Sequence, residues 1–188
     1  KASIPFGAGR GGYLYLGGGT SYASRIAGEI RKPNLNEAFF MHGGAGRKRN
    51  QFLAEDVLAG FEARAWRYFD ALEALATRLL PLYAVALELA PHHFDAAFVM
   101  PDTTLRMSHY PVVDHDDHQW GLAPHTDSSF MTLLPDNDVA GLEIKPEGHD
   151  WIRPPALAES FLVNSGDILR RWTNDRFLST GHRVLNTS

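Results

Sequence analysis

The chain has 188 residues, with 18 Lys and Arg against 22 Asp and Glu, for a formal net charge of −4. That length holds one domain with a real core, and the mild acidity disfavours a nucleic-acid or acidic-membrane partner, because phosphate binding needs a basic face. Cysteine is absent, which removes disulfides, Fe–S clusters, thiolate zinc sites and cysteine nucleophiles, so a metal would have to be held by His, Asp or Glu.

Hydrophobic residues make up 44% and aromatics 11%, which suits a folded globule. The longest mostly apolar stretch, residues 79–90, is interrupted by Pro81 and Glu88 and is too short to span a bilayer. No hydrophobic signal core opens the chain, so a cytoplasmic location is expected. The chain begins at Lys1 instead of Met and stops at Ser188 in mid-pattern, so a longer parent protein is expected.

Residues 1–50 are glycine-rich and read as a loop-rich N-terminal region. The run Gly7-Ala8-Gly9-Arg10-Gly11-Gly12 has no strand before it and no Gly-Lys-Ser/Thr closing it, so it reads as loop and not as a phosphate cradle. Residues from about 52 to 100 read as helical support. Between 52 and 90, Phe61, Ala65, Tyr68, Leu72, Leu75, Leu79, Tyr83, Ala86 and Ala90 recur at steps of three and four, which predicts one apolar helix face. Pro81 is expected to kink or divide that helix, Pro91 to end it, and His92-His93-Phe94-Asp95 to open a short helix or turn.

From about 103 to 188 the pattern turns to short strands. Strands are predicted at 104–110, 129–134, 142–144, 160–164 and 182–185, separated by turn residues at 135–138, 146–148, 165–167 and 173–175. Closely spaced short strands suggest a barrel or sandwich.

The stretch with most chemical content is Pro124-His125-Thr126-Asp127. If it is extended, His125 and Asp127 point to the same face. Two His and one carboxylate on one face of an octahedron, with the opposite face open, is the ligand pattern of non-haem Fe(II) oxygenases. A lone His-x-Asp equally suits a hydrogen-bonded pair, so a third ligand is needed. His182, which begins an apolar strand after a turn, is the best candidate. His42, His92, His93, His115, His118 and His149 read as loop histidines, and His109 alternates with Tyr110 and so faces away from it.

The segment 105–188 resembles the isopenicillin N synthase-like branch of the Fe(II)/2-oxoglutarate dioxygenase superfamily. The matching pieces run in order: Leu105-Arg106-Met107-Ser108-His109-Tyr110-Pro111, Pro124-His125-Thr126-Asp127, Gly141-Leu142-Glu143-Ile144, Phe161-Leu162-Val163-Asn164-Ser165-Gly166-Asp167, and Phe177-Leu178-Ser179-Thr180-Gly181-His182-Arg183-Val184. Gly12-Tyr13 and residues 35–40 resemble the family's N-terminal region, and the long helix its helical support. The resemblance implies a mainly β fold with helical support, a double-stranded β-helix (jelly-roll) core lacking its C-terminal segment, within a single domain over 1–188.

It further implies that His125, Asp127 and His182 hold Fe(II). It implies that 2-oxoglutarate is the cosubstrate, with Tyr110 contacting it and Ser108 at a position where many plant members carry Asn. A small organic substrate would be oxidised with O2 by hydroxylation, desaturation or cyclisation, releasing succinate and CO2. Phe40, Ser128, Ser129 and Trp172 are candidates to face that substrate, and each equally suits packing or turn structure. The family's Arg-x-Ser anchor for the far carboxylate of 2-oxoglutarate follows the distal His, and the sequence stops at Ser188 before it. Arg183 is no replacement, since adjacent strand residues point to opposite faces. Three rivals stay open at this point: an oxidase of the same branch that uses no 2-oxoglutarate, a non-catalytic metal-binding or interaction domain, and a hydrolytic zinc site.

Overall fold

The computed structural model describes residues 4, 5, 7, 10–19, 32–114 and 119–186. Among them lie eight strands and two α-helices: β1 (Gly12–Leu14), β2 (Glu37–His42), α1 (Phe61–Ala86), β3 (Thr104–His109), β4 (Leu122–His125), β5 (Met131–Pro135), β6 (Leu142–Lys145), β7 (Phe161–Ser165), α2 (Asp167–Trp172) and β8 (Gly181–Val184). His115 and His118, expected to be loop histidines, lie outside the described residues. No helix among those described is long and apolar enough to cross a membrane. The chain forms two compact units.

The first unit comprises Lys1–Tyr15 and Glu37–Ser108. Its sheet runs β1-β2-β3, with β1 antiparallel to β2 in the register Gly12↔Phe40, Tyr13↔Phe39 and Leu14↔Ala38. The loop-rich expectation for 1–50 therefore missed two strands. Glycine hid β1, and Glu37 to His42 lacks the alternation of a half-buried strand because β2 buries residues on both faces, Ala38 on one and Met41 on the other. Met41 packs with Ala65 and Phe69 of α1, and Phe39, Phe52, Phe61, Trp66, Leu105 and Met107 close around them. The rings of Phe39 and Phe61 meet edge-on at 5.2 Å, and those of Trp66 and Phe69 at 5.3 Å, an arrangement aromatic quadrupoles favour.

α1 departs from expectation in three respects. It begins at Phe61, since residues 52–60 are loop and turn. Pro81 does not divide it. Proline withholds the N–H that the Thr77 carbonyl would accept, but Leu80 and Ala84 on either side of it are buried, and their packing holds the helix through the defect. The buried face runs Ala65, Phe69, Leu80 and Ala84 to Leu87 beyond the end, while Tyr68 of the expected stripe is 44% exposed. The helix is apolar over a wider arc than the sheet covers, so periodicity alone placed the face one residue off. After it, Asp95–Phe98 is a 3-10 turn, as the His92-to-Asp95 signal suggested.

The second unit comprises Leu16–Asn36 and His109–Ser188. It holds the sheet β4-β8-β6 and the pair β5-β7, all antiparallel. The five strands predicted from residue 104 onward are all present, within a residue or two at their ends. Residues 34–36 clip to β4: Asn34 Oδ1 accepts the Ala123 N–H at 2.9 Å, Asn36 Nδ2 donates to the Gly121 carbonyl at 2.5 Å, and the Leu35 N–H donates to Trp120 O at 2.8 Å. Asn34 and Asn36 are buried, and these bonds meet the demand that burial places on polar groups.

Phe69→Ala should cost about 3–5 kcal/mol by opening a cavity against Met41. Tyr68→Ala should cost less than about 1 kcal/mol, as half-exposed positions do. Urea denaturation of the two variants checks which residue faces the core.

Candidate metal centre

β4 and β8 run antiparallel with His125 directly opposite His182. Cross-strand partners share a face, and the two imidazoles stand with ring centroids 4.1 Å apart. The register shifts between Leu122 and His125, so β4 bends as it leaves the sheet. Asp127, two residues on, brings its Oδ1 to 3.6 Å from His125 Nε2 and 3.5 Å from His182 Nε2. Among the described residues these three form the group of His, Asp and Glu side chains able to hold a metal, with ligand atoms all within 4.8 Å of one another.

Each ring is oriented from behind. His125 Nδ1 lies 2.8 Å from the Ala123 carbonyl, and His182 Nδ1 3.2 Å from the Thr180 carbonyl. A carbonyl only accepts, so Nδ1 carries a proton in both rings, and each Nε2 faces Asp127 Oδ1, donating an N–H to it when the ring is charged and presenting a lone pair when the ring is neutral. Three lone-pair donors thus converge at separations longer than the ordinary 3.0 Å hydrogen bond and short enough to share one cation. The side chains are only 13–20% exposed, so the donors are shielded from bulk water yet reachable. Two neutral imidazoles and one carboxylate fit Fe(II) as a facial set.

Asp127 is further constrained. Its Oδ2 accepts Thr132 Oγ1 at 2.6 Å and Asn164 Nδ2 at 2.9 Å. Burial alone would push this carboxyl up, but the hydrogen bond and charge of His182, with the Thr132 and Asn164 donors, hold it well below the usual carboxylate range. For His182 burial acts to lower the pKa, and the Asp127 hydrogen bond and charge outweigh it, so its pKa is raised.

The loop carrying Asp127 is tied to the start of α2. The Asp167 N–H donates to the Asp127 carbonyl at 2.8 Å, and the Ile168 N–H to Ser129 O at 3.2 Å. Thr126 Oγ1 reaches Asp167 Oδ2 at 3.2 Å, so Asp167 serves the turn and not the cluster. Gly166 makes the approach possible, since a Cβ there would lie 2.1 Å from Ser129 O and 3.0 Å from Asp127 O.

The other sequence-predicted residues make contacts of their own. Arg183, one residue past His182, turns away as strand alternation requires. It pairs with Glu143, its cross-strand partner, at 2.7 Å and stacks on Trp151 at 4.1 Å and Trp120 at 4.6 Å. Tyr110 follows β3 with its ring against Gly121, and Ser108 lies exposed on β3. Ser129 Oγ lies 3.2 Å from Thr132 Oγ1. Trp172 closes α2 half-exposed, edge-on to Phe130 at 5.9 Å, and Phe40 on β2 lies beneath the Arg106 guanidinium. His92 pairs with Asp95 at the surface, and His42 Nδ1 lies 3.1 Å from Thr104 Oγ1. Sequence reasoning missed Thr132 and Asn164. An asparagine inside the apolar run Phe161-Leu162-Val163-Asn164 was the available signal, because strands are depleted in Asn.

Residues 101–188, which contain all three members of the cluster, match the family model of the 2OG-Fe(II) oxygenase superfamily, and the chain belongs to that superfamily, as its relatives also show. It is 34% identical over 158 residues, 79% of this chain, to the 2-oxoglutarate-Fe(II) type oxidoreductase ppzC of Metarhizium majus. It is 32% identical over 186 residues, 95% of this chain, to the 2-oxoglutarate-dependent dioxygenase ecdK of Aspergillus rugulosus. Those matches span 41% and 55% of the two relatives, so the chain covers about half the length of its curated kin. A full-length Neurospora crassa protein, solved with alpha-KG, superposes with a TM-score of 0.79 at 30% identity, covering 94% of this chain and 56% of that one. The same protein with alpha-KG and thymine gives 0.82 at 26% identity, over 98% and 60%. The fold is accordingly the jelly-roll with helical support that the resemblance implied.

The two pKa directions act oppositely in the metal-free protein. The lowered Asp127 contributes stability above its unfolded value near 3.9, and this is lost as pH falls; the raised His182 contributes below about 6.5, and this is lost as pH rises through its folded value. A metal must displace the His182 proton, so Co(II) affinity should fall about tenfold per pH unit below that raised pKa. In Asp127→Asn the break should move to lower pH, with weaker binding throughout. Calorimetric titration from pH 5.5 to 8 checks both.

Proposed function

We propose that this chain carries the metal-binding portion of a non-haem Fe(II)- and 2-oxoglutarate-dependent oxygenase that oxidises a small organic substrate with O2, releasing succinate and CO2. The observation that carries this reading is the convergence of His125 Nε2, His182 Nε2 and Asp127 Oδ1 on one point, inside the segment matched to the superfamily. In this reading the three side chains are the iron ligands, and residues 1–188 act as one domain. Bound there, iron with 2-oxoglutarate supplies the O2 activation that substrate oxidation requires.

The protein's own contribution is positional. The Ala123 and Thr180 carbonyls orient both rings, so no imidazole rotation is needed before a metal enters, and the proton to be displaced is the one on His182 when that ring is charged. Asp127 stays ionised under all ordinary conditions and brings one negative charge to a divalent ion, leaving a net positive centre attractive to an anionic keto acid. Partial burial of the cluster limits water access and strengthens these interactions.

Tyr110 and Ser108 are the candidates to hold 2-oxoglutarate, and Phe40, Ser129 and Trp172 those to face the substrate. The structural relative solved with alpha-KG and thymine supports a small organic substrate. Nucleic-acid and membrane partners are not part of the reading, and a cytoplasmic setting, where Fe(II) and 2-oxoglutarate are both available, is.

Anaerobic titration of the apo-protein with Fe(II) and then 2-oxoglutarate should produce a weak visible charge-transfer band, absent in His125→Ala, Asp127→Ala and His182→Ala. A wild-type protein that binds Fe(II) but gives no band would count against 2-oxoglutarate as cosubstrate and point to the oxidase chemistry of the same branch. Retention of the band in the alanine variants would remove the ligand assignment.

A further inference from the structure

We infer, resting on the Fe(II) reading above, that Thr132 and Asn164 are positioning residues that confine Asp127 to one-oxygen ligation, and that Ser129 supports them. The two side chains belong to different strands, β5 and β7, yet Thr132 and Asn164 are direct cross-strand partners. Their donors therefore emerge side by side on one face, and both end on the same atom, Asp127 Oδ2, at 2.6 and 2.9 Å. The other oxygen, Oδ1, is the one that faces both imidazoles. Turning the carboxylate to offer both oxygens to a metal would break both bonds.

The proton inventory assigns Ser129 a place. Thr132 has one hydroxyl hydrogen, which it gives to the acceptor-only carboxylate of Asp127. In the 3.2 Å contact between Ser129 Oγ and Thr132 Oγ1 the donor is then Ser129. A hydroxyl chain runs Ser129 to Thr132 to Asp127, with Asn164 closing it from the second strand.

Both donors to Oδ2 are neutral. A Lys or Arg there would hold the carboxylate equally well but cancel the charge it offers a cation. Neutral donors fix its direction and leave that charge in place. Three single-atom protein ligands would leave a bound six-coordinate ion three positions, enough for a chelating keto acid and one further ligand. A two-oxygen Asp127 would leave two.

The test uses Co(II) as the probe with the wild-type protein, Thr132→Val, Thr132→Ser and Asn164→Leu, reading affinity and the visible ligand-field spectrum. Apo-protein melting is followed in parallel. Thr132→Val and Asn164→Leu, close in shape to the originals, should bind Co(II) about tenfold to a hundredfold more weakly with an altered spectrum. Thr132→Ser, which keeps the hydroxyl, should restore both readouts, a rescue that a purely structural role would not produce. Wild-type affinity and spectrum in both isosteric variants would overturn the inference, as would a Thr132→Ser protein as impaired as Thr132→Val. A wild-type protein that binds no Co(II) would instead strike the metal-site reading itself, and this inference with it.

Discussion

The structure of the site depends on one carboxylate whose two oxygens do different work. Oδ1 of Asp127 meets the histidines of β4 and β8; Oδ2 meets the donors of β5 and β7. The two strand systems of the second unit are thereby joined through a single side chain. An isolated buried carboxylate is costly, and here the cost is offset by charge-assisted hydrogen bonds, which are about twice as strong as neutral ones. The cluster is therefore preformed. Its rings and carboxylate are held by carbonyls, a hydroxyl and an amide before any ion arrives, which is the condition for a precise metal site.

Backbone restraint supports that arrangement from below. The loop after β4 has to turn within a few residues from the sheet to β5 while placing Asp127 accurately. Amides at the start of α2 take up the loop carbonyls of Asp127 and Ser129, and Leu169, fully buried, anchors the helix that supplies them. On the other side, Asn34 and Asn36 lock the backbone at Ala123 of β4 and at Gly121 just before it. Residues far apart in sequence thus fix the segment between Gly121 and Ser129 from both ends, and loops placed by a rigid scaffold are where chemistry commonly sits.

Much of this was legible in the sequence, for identifiable reasons. The strands from residue 104 onward are short, rich in Leu, Val, Ile and Phe, and bounded by Pro, Asn, Asp and Gly, so their positions could be read directly. His125, Asp127 and His182 could be named as a candidate set because metal ligation restricts residue type and the motifs around them resemble those of one family. What was hidden depended on tertiary context. β2 has no alternation because both its faces are covered, and Pro124 obscured β4. The buried face of α1 was set by which ring met Met41, a fact external to the helix. Thr132 and Asn164 carry no metal-ligand signature, and their meeting at Asp127 follows only from the β5-β7 register.

β8 shows how the same register logic separates chemistry from scaffold. Successive residues of a strand face opposite sides, so His182 and Arg183 cannot serve the same surface. A slip of one residue would turn Arg183 toward Asp127 and His182 away from it. The opposite face guards against that slip. Arg183 is bonded to Glu143, its cross-strand neighbour on β6, and its guanidinium lies over the rings of both Trp120 and Trp151. Glu143 also lies 3.7 Å from Arg153. A guanidinium stacked on two indoles and paired with a carboxylate has little freedom to move along the strand. The arginine beside the histidine is thus neither a ligand nor an anion anchor, but it sets the register on which the position of His182 depends.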